Sequence, residues 1–75
     1  MKSKTHEPVR ARLARNLLRI RLDAGITQEE LAARAGLHRT YVGHLERSQR
    51  NPSLENVEKV ALVLEVDVCD LLAPE

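Results

Sequence analysis

Neither tryptophan nor phenylalanine occurs in the chain, and Tyr41 is its sole aromatic residue. A core must therefore be built from Leu, Val, Ile and Ala. The single cysteine, Cys69, excludes an internal disulfide and a cysteine-based zinc set. No apolar run approaches the ~20 residues that span a bilayer. The polar opening MKSKTHEP has no apolar segment behind it of the kind a secretory signal carries. The expectation is a cytoplasmic protein with no membrane partner. At 75 residues the chain stands near the lower limit for a self-supporting core, so one domain is expected.

Sets of residues that carry chemistry are missing as well. No serine or cysteine has a recognisable base, and no glycine-rich phosphate loop follows a strand. His38 and His44 lie six residues apart, about 600° around a helix, and share no face with each other; His6 is remote from both. No enzyme activity, no cofactor and no metal is expected.

What is present is charge, unevenly placed. Residues 1–50 carry eleven Lys and Arg against five acids, a balance of +6; residues 51–75 carry one Lys against six acids, a balance of −5. On charge alone this suits two readings equally: a surface for a polyanion with its acidic side turned away, or an uneven solvated surface.

The apolar spacing is helical throughout. Residues 1–8 read as a flexible lead-in ending at Pro8, followed by a domain over 9–75. Val9, Leu13, Leu17, Ile20 and Ala24 step by 4, 4, 3 and 4, one face of a helix that Gly25 stops. Leu18 and Leu22 flank this stripe, either as extra core or as part of an interface. Thr27 and Glu30 form a capping box, with Ile26 and Leu31 as a hydrophobic staple, so a second helix runs from Gln28 to Ala35 and Gly36 ends it. His38 occupies the cap position of a third helix that turns Val42 and Leu45 inward and ends near Arg47. The polar loop RSQRNP leads to Ser53, the cap of a fourth helix with apolar positions Leu54, Val57, Val60, Ala61 and Leu64. Asp67 caps a short fifth helix, closed by Pro74. The fold class expected is all-α, five short helices with short connections.

Three residues, Gly36 to His38, separate the second and third helices, which is the spacing of a helix-turn-helix. With that spacing, TQEELAARAGLHRTYVGHLERSQRNPSL resembles the helix-turn-helix of the phage repressor and Cro-like family of bacterial regulators. The likeness covers about residues 10–72, through the registers of TQEELA, AG, YV, LER, NPSL and the closing DLL.

That resemblance implies a lambda-repressor-like fold whose third helix enters the DNA major groove. Carried over by position, Arg39, Thr40, Gly43 and His44 become the base-contact set. Arginine matches guanine O6 and N7, threonine can contact a base or the thymine methyl group, and histidine can donate or accept. Gly43 is expected on the outward side, where a missing side chain lets the backbone approach the duplex. Gln28, Tyr41, Arg47, Arg50 and Asn51 are the expected phosphate contacts. Tyr41 is expected to serve mainly as a wedge against the core. Ser48 stands where the family often has glycine. Arg21 and Glu46 stand where related domains pair an arginine late in helix one with a glutamate late in helix three, implying a structural ion pair.

Members of the family bind double-stranded DNA as two-fold dimers on inverted repeats. Val66, Val68, Cys69 and Leu72 hold more apolar surface than one short helix can bury. They form the expected homodimer interface, with Leu18 or Leu22 contributing, although Cys69 by itself reads as a small buried hydrophobe. The function implied is a small prokaryotic transcriptional regulator, repressor-like, acting near a promoter, with RNA polymerase or a second regulatory protein as further partners. The alternatives are an antitoxin-like protein-interaction module with secondary DNA binding and a helical domain that has lost DNA binding.

Overall fold

The computed structural model describes residues 7–75. Five helices follow one another: α1 (Val9–Ala24), α2 (Gln28–Ala35), α3 (Arg39–Glu46), α4 (Leu54–Leu64) and α5 (Val68–Leu71). Among the described residues no strand forms, and no helix is long and apolar enough to cross a membrane.

Local chemistry sets the boundaries. Gly25 and Gly36 stop α1 and α2 with φ of +74° and +71°, the left-handed region that a Cβ disfavours. At Thr27 the hydroxyl accepts from the Glu30 N–H, and Glu30 Oε1 accepts from the Thr27 N–H, both at 3.0 Å. His38 caps α3 through Nδ1, which accepts from the Thr40 N–H at 3.1 Å. Ser53 and Asp67 cap α4 and α5 in the same manner. Two ends are made left-handed without glycine: Ser48 and Glu65 both take φ of +58°. Ser48 thus adopts the left-handed conformation that glycine would supply at that position.

α1 packs against α3, α4 and α5, and α2 packs between α3 and α4. Leu13, Leu17, Leu31, Val42, Leu45, Val60 and Leu71 are fully buried at the centre. Burying each leucine in full contributes about 1.5–3 kcal/mol by removing it from water. Tyr41 packs on the edge of this cluster, as a wedge does. Val9, Ala24 and Leu54 depart from the inward role that the spacing predicts. Leu54, the first residue of α4, is 82% exposed and lines a shallow depression with Val9, Arg10 and Leu13 of α1. Leu18 and Leu22 are exposed too, so they are not extra core.

The chain is closed by a polar contact inside the fold. Asn16, only 2% exposed, donates through Nδ2 to the carbonyls of Leu71 (3.0 Å) and Ala73 (2.9 Å). Its Oδ1 accepts from Arg15 at 3.2 Å and Arg19 at 3.3 Å. This satisfies a buried amide that would otherwise cost about 1–3 kcal/mol, and it fastens the end of α5 to α1. The lead-in expected over residues 1–8 lies outside the described residues up to residue 6. Glu7 is held in place, its carboxylate accepting two hydrogen bonds from Arg15, at 2.8 and 3.3 Å.

Candidate nucleic-acid interface

The first turn of α2 and the outer face of α3 enclose an open depression. Gln28 and Glu29 line one wall; Arg39, Thr40, Gly43 and Arg47 line the other. Arg39, Thr40 and Gly43 of α3 and Arg47, which caps it, step by one, three and four, so they share a face, while Val42 and Leu45 point into the core.

Beneath the depression, a buried ion pair fixes α3. Arg21 Nε donates to Glu46 Oε2 at 2.5 Å and Nη2 donates to Glu46 Oε1 at 3.0 Å. Arg21 Nη1 also donates to the Ile26 carbonyl at 2.9 Å. The hydrogen bond to Glu46 pushes the Arg21 guanidinium above its usual range, against the opposing effect of burial, so the arginine stays charged. Gln28 joins this network, its Nε2 donating to Glu46 Oε1 at 2.8 Å. One N–H of its amide is thereby committed to Glu46, while its Oε1 lies beside Gly43 in the depression.

Gly43 lies on the outward side, lining the depression, and is itself buried because the tips of Arg47 and Gln28 lie over it. A Cβ built there would stand 3.3 Å from Arg47 Nη1 and 3.6 Å from Gln28 Oε1. Close approach of a duplex therefore requires these two flexible side chains to move aside. His44 stands half-buried on the flank of α3, outside the depression.

Around the rim, Arg50 lies over the Tyr41 ring, 5.5 Å from its centroid. The Tyr41 hydroxyl accepts from Asn56 Nδ2 at 3.1 Å, which leaves its own proton available for a further acceptor. Asn51 accepts weakly from Arg10 at 3.5 Å, and Arg47 donates to Gln49 at 3.1 Å. Asn56 and Arg10 escaped the sequence reading. Helix position alone does not single them out, since their roles come from contacts 15 and 41 residues away.

On the far side, Val66, Val68 and Leu72 are half-buried against the core edge. Cys69 is exposed, which corrects its reading as a buried hydrophobe: in a helix of four residues it faces away from the one fully buried position, Leu71. Hydrogen bonding to the Asp67 carboxylate pushes its thiol up, disfavouring the thiolate.

A short capped helix, pinned by a buried ion pair and turned outward with arginines around an open depression, defines a helix-turn-helix domain. Comparison with known proteins agrees. The helix-turn-helix family model matches residues 17–71, and the chain belongs to that family. It is 46% identical over 68 residues to a hypothetical transcription factor of Neisseria meningitidis, covering 91% of this chain and 64% of that protein. It is 42% identical to the control protein C.BamHI of Bacillus amyloliquefaciens, covering 85% of this chain and 80% of that one. The crystal structure of the restriction-modification controller protein C.AhdI from Aeromonas hydrophila superposes with a TM-score of 0.80 at 40% identity, covering 83% of this chain and 94% of that one. The chain thus spans just under two thirds of the Neisseria relative's length.

Proposed function

We propose that the chain is a cytoplasmic transcriptional regulator that binds operator DNA in a sequence-specific manner, with α3 in the major groove. The observation that carries this reading is the face of Arg39, Thr40 and Arg47 on a helix held rigidly from beneath by Arg21 and Glu46. Arg39 and Thr40, with His44 from the flank, read base edges. Gln28, Tyr41, Arg47, Arg50 and Asn51 contact phosphates, which set register without choosing sequence. Gly43 admits the duplex once Arg47 and Gln28 move aside.

One such module makes few contacts. A two-fold dimer on an inverted repeat, with half-sites about 34 Å apart, doubles them. The half-buried apolar residues Val66, Val68 and Leu72, with Cys69 beside them, suit the dimer contact; the exposed Leu18 and Leu22 extend it. Occupancy beside a promoter then controls transcription, by occluding RNA polymerase or by contacting it or a second regulator. The likeness to control and controller proteins favours this reading over an antitoxin-like module.

Salt titration on duplex DNA tests it. Affinity should fall on a log–log plot with a slope of about −0.9 for each phosphate contacted. A flat response, together with tight binding to a protein partner, would favour the interaction module. Sedimentation equilibrium of the free protein tests the dimer: a monomer at every concentration, with one copy per operator, would refute it.

A further inference from the structure

The depression on the DNA-facing side holds a carboxylate, Glu29 in the first turn of α2, that takes no part in the helix cap. Glu30, the next residue, already closes the α2 capping box. Glu29 instead reaches across to α3, where its Oε2 accepts from Arg39 Nη1 at 2.6 Å. Both side chains are about two-thirds exposed, 68% and 67%. A pair that open to water contributes little to folding. An acid here also repels phosphate, the opposite of what a surface that merely gathers DNA would carry.

We propose that Glu29 is a specificity-determining residue, which positions Arg39 for a single guanine and withholds it from the phosphate backbone. This rests on the reading of Arg39 as a base contact. An arginine has five N–H donors in a planar fork. Glu29 occupies one of them on Nη1, leaving the Nε and Nη2 edge free for guanine O6 and N7. Arg39 is also the first residue of α3, where a positive charge meets the positive end of the helix dipole. Glu29 offsets that repulsion and keeps the guanidinium over the depression. Where the site offers adenine in place of guanine, the tethered arginine faces the N6 donor and cannot swing freely to a phosphate. Discrimination then comes from a penalty on wrong sites as well as from a gain on the right one.

The test compares Glu29→Gln with wild type, Arg39→Ala and the neighbouring control Glu30→Gln, which keeps a side chain competent for the capping box. Each is titrated onto the selected operator, the operator with its Arg39-dependent G·C pair changed to A·T, and a random duplex. For Glu29→Gln, binding to the altered and random duplexes should tighten while operator binding changes little. The ratio of specific to non-specific affinity should fall about tenfold, within the range of one bidentate base contact. The salt slope on random duplex should steepen by about 0.9, one added phosphate contact. Glu30→Gln should leave the ratio as it is. Equal tightening on all three duplexes by Glu29→Gln, or an equal loss of ratio in Glu30→Gln, would overturn the proposal and leave Glu29 a general repulsive charge. If Arg39→Ala changes preference at no position, the base-reading role of Arg39 fails, and this inference with it. That outcome is read from the Arg39 arm alone, so it is distinct from a failure of Glu29.

Discussion

Arg21 and Glu46, 25 residues apart, meet in a two-point ion pair at the junction of α1 and α3, with their side chains 10% and 4% exposed. One Glu46 oxygen also accepts from Gln28, so three helices share one carboxylate. The orientation of the outward face of α3 is therefore set from within the fold.

Replacing Glu46 with Gln should be costly, since it leaves the Arg21 charge buried without a counter-charge. The expected loss of stability is about 3–5 kcal/mol, measured as a lower urea midpoint with an unchanged slope. A loss below ~1 kcal/mol would show that Arg21 escapes to solvent when its partner is removed.

Asn16→Ala should remove both bonds to the Leu71 and Ala73 carbonyls. The cost is about 1–3 kcal/mol, concentrated at the C-terminal end. Amide exchange should speed up in α5 more than in α2 or α3; a uniform change across all helices would contradict a local latch.

The helix boundaries were legible because each depends on a few adjacent residues: Thr27 with Glu30, the two stop glycines, Ser53 and Asp67. The Arg21–Glu46 contact was implied by family resemblance and not by spacing. Asn16 was not legible. It reads as an ordinary polar residue beside Leu17, and its partners are backbone carbonyls 55 and 57 positions away, which carry no sequence signal. The same holds for Glu29, whose role depends on how α2 and α3 cross. Periodicity gave the side of α3 on which Gly43 lies, but not the side chains of Arg47 and Gln28 that lie over it. Cys69 and Leu54 were misread because each sits in a terminal turn, where an apolar residue can fall outside the packed stripe.

Gly43→Ala separates two demands on α3. In the free protein it should stabilise the helix by up to about 1 kcal/mol, with Arg47 shifting slightly to admit the methyl group. Operator affinity should fall, as the new Cβ stands where the duplex must approach. Thermal melts and titrations on one preparation check both. Unchanged affinity would mean that close approach is not the reason for glycine.

Selection of bound duplexes from a random library, run side by side on wild type and Arg39→Ala, tests the central claim most directly. The account predicts that wild type enriches an inverted repeat with half-sites about one helical turn apart. It also predicts that Arg39→Ala loses preference at one symmetry-related G·C pair, at a cost of about 1–3 kcal/mol for each contact. No enriched sequence from wild type, or the same consensus from both proteins, would contradict it.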